Sequence, residues 1–167
     1  MMKSPRLFYL LLALFSAALL SYAYYLQFVD GLEPCPLCIF QRLAYMAVIV
    51  VSLVAFVHGP GVSGMRIYSG LLAATTLVGA AIAGRHVWLQ HLPADKVPEC
   101  GPGLDYMLEV FSLGETLRKA FSGSGECALI DWSLLGLSMA EWSLLCFTGL
   151  FVAALVHCIR GRLWGQG

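Results

Sequence analysis

Charge is what this sequence has least of: Asp, Glu, Lys and Arg make up 12% of its 167 residues, while 59% are hydrophobic and the mean hydropathy is +0.79. A soluble domain carries about 25% charged residues, so the composition excludes water as the default solvent and points to the bilayer. The formal net charge is zero, and no Gly-rich phosphate-cradling motif occurs. Both facts argue against nucleic acid as a partner. Internal repeats and low-complexity tracts are absent as well, which leaves one domain over residues 1–167.

What the chain does have is length in its apolar runs. A helical crossing of the hydrocarbon needs about 20 predominantly apolar residues, and four runs qualify, at roughly 7–28, 37–57, 67–89 and 141–159. The connection over 90–140 is long and polar; the one over 29–36 is short. The expected fold is therefore an all-α membrane protein, a four-transmembrane-helix bundle with a long second outer loop. Lys3, Arg6, an apolar core and Ser21-Tyr22-Ala23 also fit a signal peptide with its cleavage site. Because apolar and aromatic residues continue through Tyr24, Tyr25, Leu26 and Phe28, the run is span-length and is expected to be retained. Ser4-Pro5 reads as an N-cap with a first-turn proline, and Ser138-Met-Ala-Glu141 as a capping box ahead of the last span.

Acids are missing from three segments, the N-terminal tail, the 58–66 turn and the C-terminal tail, which hold Lys3, Arg6, Arg66, Arg160 and Arg162. All ten acidic residues, from Asp30 to Glu141, fall on the opposite side. The positive-inside rule then places both termini in the cytoplasm and the loops at 29–36 and 90–140 outside. Tyr22, Tyr24, Tyr25, Trp88 and Trp142 lie near the outer interface and read as aromatic anchors.

Cysteines sort by side. Cys35 and Cys38 sit at the first outer loop and Cys100 and Cys127 in the second, whereas Cys146 and Cys158 lie within the fourth span and read as apolar thiols. Four thiols facing an oxidising compartment are expected to pair. The spacing Cys-x-x-Cys also serves zinc sites and haem attachment. Ile39 in place of a His excludes haem, and Cys100 and Cys127 stand too far apart for a second zinc knuckle. No metal site is expected. A structural bridge between Cys100 and Cys127 would staple a long loop, but one between Cys35 and Cys38 closes almost no loop and adds little stability, so exchange chemistry explains that pair better.

The surroundings of the pair favour reactivity. Pro34 and Pro36 bracket Cys35, and Pro36 suits the first turn of a helix. Cys38 then lies in that first turn, where unpaired backbone N–H groups favour thiolate over thiol. Cys35, Cys38 and Arg42 recur at i, i+3 and i+7, which places the guanidinium on the same face, about one turn deeper. An isolated interfacial arginine would snorkel to headgroups. Beside a dithiol, a buried cation suits a lipid-borne oxidant whose reduced form carries negative charge on oxygen, that is, a quinone. His86, at the end of the third run, reaches the same interface as a hydrogen-bonding partner for a quinone oxygen.

The chain resembles the DsbB family of bacterial inner-membrane proteins. The likeness rests on CPLCIFQR at the second span, RHVWLQHLP at the end of the third, PECGPGLDYMLE around Cys100, and SGSGECALIDWSLLGLSMAEWSLL around Cys127. It implies a four-helix bundle, multi-pass in the inner membrane, with both termini cytoplasmic and its redox loops periplasmic. It also implies reoxidation of a DsbA-like periplasmic thiol oxidase at the expense of ubiquinone or menaquinone. By the same resemblance Cys35 and Cys38 are the quinone-coupled pair, Cys100 and Cys127 the loop pair, and Arg42 and His86 the quinone-side residues. A DsbA thiolate would attack Cys100, Cys127 would then attack Cys35, and Cys38 would be freed to face the quinone. Gln41 departs from the pattern, since some members carry Glu before the arginine.

Three further expectations concern the loop. Gly101, Gly103, Gly114, Gly123 and Gly125 supply hinges near both cysteines. Leu113, Leu117 and Phe121 behind a Ser112-to-Glu115 box suit a short surface helix. Residues 130–137, with Trp132, Leu134, Leu135 and Leu137 beside Asp131 and Ser133, suit a segment lying on the membrane. Rival functions are a paralogue serving another thioredoxin-fold partner, a convergent oxidoreductase like the vitamin K epoxide reductases, and a non-enzymatic scaffold stapled by disulfides or zinc. The order of the cysteines, with the loop pair after Cys-x-x-Cys, argues against the second.

Overall fold

The structure is a computed structural model, and it describes residues 5–97, 109–110, 112, 114–115, 118, 123 and 125–164. Cys100, the glycines at 101 and 103, and Leu113, Leu117 and Phe121 lie outside the described residues. Four long helices carry the fold: α1 (Pro5–Phe28), α2 (Pro36–His58), α3 (Val62–Gln90) and α4 (Met139–Trp164). All four are long and apolar enough to cross a membrane. Large apolar side chains such as Leu14, Val50, Ile67, Val78 and Val152 point outward. Buried polar ones such as Ser52, Ser69 and Thr76 point inward. Lipid is the solvent that makes this inversion favourable, since it asks no polar surface of the helices.

Side-chain contacts give the order of the helices. Near one end the start of α1 meets the start of α3 and the end of α4: Tyr9 donates its hydroxyl to the Met65 carbonyl at 3.4 Å, and Phe8 stacks on His157 at 4.0 Å. His58, closing α2, lies 2.8 Å from the Tyr68 hydroxyl at that same end. At the opposite end the close of α1 meets the start of α2, and the close of α3 meets the start of α4, where Ser138 Oγ donates to Gln90 Oε1 at 2.7 Å. The four helices therefore alternate up and down, as short connections demand.

Local chemistry sets each terminus. Pro36 occupies the first turn of α2, where its missing N–H removes no helical bond. Gly59, at φ +58, closes that helix by bonding its N–H to the Ala55 carbonyl at 3.0 Å. A side chain there would overlap the Arg6 guanidinium, a cation resting at the negative end of α2. The expected capping box opens α4: Ser138 N–H donates to Glu141 Oε2 at 2.7 Å, and Glu141 N–H to Ser138 Oγ at 3.3 Å.

Two buried clusters share the bundle. The larger joins Tyr9, Leu12, Ala44, Tyr45, Val48, Leu72, Phe147 and Leu150, with the Tyr45 and Phe147 rings stacked at 4.1 Å. Gly79 lets α4 approach α3 there, because a Cβ at that position would lie 2.5 to 2.7 Å from three atoms of the Phe147 ring. The smaller cluster contains Cys35, Leu37, Ile82, Leu89 and Cys127.

Within the stretch that opens at residue 130, residues 133–138 form a tight hairpin ahead of α4. Strands β1 (Ser133–Leu134) and β2 (Leu137–Ser138) pair antiparallel, Ser133 opposite Ser138 and Leu134 opposite Leu137. Leu135 and Gly136 turn between them at φ +55 and φ +82, the double positive φ of a type I′ turn. Trp142 Nε1 donates to the Leu134 carbonyl at 3.1 Å and ties the hairpin to α4. Leu134 and Leu135 are exposed on it, and Leu129 and Ile130 are exposed just ahead of it.

Candidate functional site

The site begins with the cap of α2. Cys35 is the N-cap residue, extended at φ −64 and ψ 162, and its Sγ accepts from the Cys38 N–H at 3.4 Å. A sulfur therefore fills the place that Ser or Asp usually takes. One helical turn brings Cys38 Sγ to 3.2 Å from Cys35 Sγ, with both thiols free. Cys35 is buried and Cys38 half-buried, so the second thiol is the one open to an incoming group.

His86 closes over the pair from α3. It is 3% exposed, with Nε2 at 3.8 Å from Cys35 Sγ and Nδ1 at 4.0 Å from Cys38 Sγ. Gln41, itself buried, lies with Nε2 at 3.1 Å from His86 Nδ1. Amide N–H donation to Nδ1 leaves the imidazole proton on Nε2, directed at Cys35. His86, expected beside a quinone oxygen, thus stands against both sulfurs.

Arg42 is held by α1. Its guanidinium donates to Gln27 Oε1 and, at 3.2 Å, to the Ala23 carbonyl, and lies 4.8 Å from the Tyr24 ring centroid. Three anchors on a neighbouring helix immobilise it one turn below Cys38. Arg42, Cys38, Cys35, Gln41 and His86 all line one cavity of about 1020 Å³. Much of its remaining wall is apolar, with Leu19, Leu26, Ile39 and Met139 beside Tyr22, Trp132 and Trp142, and Glu33, Glu126 and Asp131 line it as well. A few convergent polar groups on an apolar wall suit a flat, hydrophobic ligand with polar oxygens, so the residues present fit a quinone ring.

Cys127 comes from the polar loop, yet it is fully buried and belongs to the same cluster as Cys35. Its 3-10 turn, Gly125–Ala128, packs on α3. Gly123 makes room for the approach at φ +88, where a Cβ would overlap Leu89. Cys100, the other expected loop cysteine, lies outside the described residues. Cys146 and Cys158 are separate half-buried thiols on α4.

Gln27, Gln41, Tyr24 and the Ala23 carbonyl are parts of the site that sequence reasoning did not assign. A signal was present for two of them, since Gln27 and Gln41 are the amide side chains of the first two apolar runs. An amide in hydrocarbon must find a partner. Tyr24, expected as an interfacial anchor, lies against Arg42.

Comparison with known proteins gives a single picture. The family model described as disulfide bond formation protein DsbB matches residues 5–157. The disulfide bond formation protein B of Methylococcus capsulatus is 54% identical over 156 residues, covering 93% of this chain and 95% of its own. The proteins of that name from Azoarcus sp. and Acinetobacter baumannii are each 48% identical, covering 92% and 96% of this chain and 92% and 94% of theirs.

Proposed function

The chain belongs to the DsbB family of disulfide bond formation proteins, and we propose that it reoxidises a DsbA-like periplasmic thiol oxidase and passes the electrons to ubiquinone or menaquinone of the membrane pool. Membership makes it a multi-pass membrane protein that acts in disulfide formation. The partner, the quinone and the orientation, with both termini cytoplasmic and the redox loops periplasmic, are our reading. One observation supports it best: a free dithiol at the mouth of α2 stands in the wall of a cavity that also carries Arg42, Gln41 and His86.

Each residue then has a task. The partner's thiolate attacks Cys100 of a Cys100–Cys127 disulfide and releases Cys127 as a thiolate. Burial of Cys127 among Cys35, Leu37 and Leu89 supports its next move, attack on Cys35 of an oxidised Cys35–Cys38 pair. That attack breaks the pair and leaves Cys38 as a thiolate at the cavity wall. Arg42, fixed by α1, holds negative charge there. His86 Nε2–H faces Cys35, placed to move a proton to or from that sulfur. The partner's second thiolate attacks its own sulfur in the mixed disulfide, so the partner leaves oxidised and Cys100 is freed. Cys100 then attacks Cys127, re-forms the Cys100–Cys127 disulfide and expels Cys35, and loss of two electrons and two protons from the Cys35–Cys38 dithiol restores that disulfide. Each cycle removes two electrons and two protons from the thiols, and a quinone bound in the cavity supplies the oxidant for them. Such a driver is needed because DsbA-like oxidases sit at about −120 mV, beyond the reach of an ordinary dithiol.

The test is direct. Purified chain mixed with reduced DsbA-like protein and a short-chain ubiquinone should consume quinone and thiol one for one, counted as thiol pairs, and Cys38→Ser should abolish quinone consumption. Quinone left unreduced, or reduced equally well by Cys38→Ser, would refute the reading. A chain that consumes no quinone even after a chelator has stripped any bound metal would be a scaffold.

A further inference from the structure

We propose that the reduced dithiol, together with His86, is a binding site for one soft divalent cation of the zinc class, and that occupation of this site arrests the chain in its reduced state. A four-cysteine zinc site is disfavoured by the spacing of Cys100 and Cys127. The fold replaces those two ligands with a histidine distant in sequence. Cys35, Cys38 and His86 each present a donor atom, and the three atoms lie within 4.8 Å of one another.

The distances approach those of a metal site. Zinc binds thiolate sulfur at about 2.3 Å and imidazole nitrogen at about 2.0 to 2.1 Å, so tetrahedral ligands stand roughly 3.5 to 3.8 Å apart. The Sγ to Sγ separation is 3.2 Å and the Cys35 Sγ to His86 Nε2 separation is 3.8 Å. A small rotation of one cysteine side chain opens the sulfurs to the required spacing. Cys35 and His86 are already buried and held by the α2 cap and the packing of α3. Cys38, half-buried on the cavity wall, gives the entry path and leaves a fourth position for water.

Gln41 completes the site from behind. A ligating histidine binds metal through one nitrogen and donates its other N–H to a carbonyl or carboxylate. Gln41 covers Nδ1 at 3.1 Å and leaves Nε2 for the cation. Turning the amide by 180° presents Oε1 to Nδ1, and the ring proton passes from Nε2 to Nδ1 as the cation takes Nε2, a tautomer change that leaves the proton count of binding unaltered. Binding replaces two S–H bonds by two metal–sulfur bonds and releases two protons to solvent, with no electron transferred. The oxidised pair has no thiolates to offer, so the site exists only after electrons have arrived from the partner. Quinone reduction is not required for it.

The experiment uses the full chain in detergent with Cys100→Ser and Cys127→Ser, which removes the loop thiols. Zn²⁺ is titrated against a chromophoric chelator, and Co²⁺ serves as a spectroscopic probe of thiolate ligation. The reduced chain should take one Zn²⁺ with release of about two protons, show a sulfur-to-cobalt charge-transfer band, and lose both when Cys35 and Cys38 are oxidised. Cys35→Ser and Cys38→Ser should abolish this binding. His86→Ala should weaken it about ten-fold or more, and Gln41→Leu about ten-fold. Equal affinity in the oxidised chain, or retention of the site by either serine variant, would overturn the proposal, and these near-isosteric changes decide it even where His86→Ala unfolds. In the wild type, Zn²⁺ should stall thiol oxidation and a chelator should restore it.

Discussion

Replacing Arg42 by Met should slow reoxidation of the Cys35–Cys38 pair while sparing the loop chemistry. Arg42 follows Cys38 by one helical turn, which sets their Cβ atoms about 5 to 6 Å apart. Two unit charges at about 6 Å interact by roughly 2.8 kcal/mol at an effective dielectric of 20. The cavity is open on one side, so about half of that, 1 to 2 kcal/mol, acts on the developing charge. A loss of that size lowers turnover roughly five- to thirty-fold. Quinone KM should rise as well, since the guanidinium is a fixed donor on the cavity wall. Arg42→Lys restores the charge but not the planar fork that reaches both Gln27 and the Ala23 carbonyl, so intermediate turnover is expected. Gln27→Leu keeps the charge and removes one anchor; about two-fold slowing and a higher KM should follow. Stopped-flow measurement of quinone reduction, with parallel trapping of the Cys100 mixed disulfide, separates the two half-reactions. Arg42→Met with unchanged kcat and KM, or with the mixed disulfide slowed as much as quinone reduction, would refute the reasoning and leave Arg42 a snorkelling anchor.

Gly79→Ala should lower the thermal midpoint in detergent: overpacking against Phe147 costs about 1 to 3 kcal/mol, against about 1 kcal/mol gained in helix propensity. Phe147→Leu in the same chain should recover most of the loss. Cys127→Ser should accumulate a covalent adduct between Cys100 and a DsbA-like protein, visible on non-reducing gels; an adduct through Cys35 instead would contradict the relay. Ser138→Ala removes half of the α4 capping box and the bond to Gln90, which should destabilise the chain by about 1 kcal/mol. An impermeant thiol reagent added to reduced inverted membrane vesicles should leave Cys100 unmodified, and ready labelling there would reverse the proposed orientation.

Membrane class, helix number and the closeness of Cys35 and Cys38 follow from the linear sequence because their causes are local. A run of apolar residues spans the bilayer wherever its neighbours lie, and Cys35, Cys38 and Arg42 share a face through helical geometry alone. The capping box at Ser138 is equally local, and the hydrogen bonds of Ser138 and Glu141 match it. Tertiary structure decides what each group meets. His86 follows Cys35 by fifty-one positions and stands 3.8 Å from its sulfur. Its approach depends on how α3 packs on α2, and Gln41 turns the ring. Arg42 is immobilised by Gln27 and Ala23 from α1, and Tyr24 faces it where position along the run had suggested only an interfacial anchor. Cys127 leaves a polar loop to join a buried apolar cluster. No helical period encodes these meetings. They arise because lipid leaves each buried amide, cation and thiol to find its partner inside the protein, and only the packed bundle settles which partner is within reach.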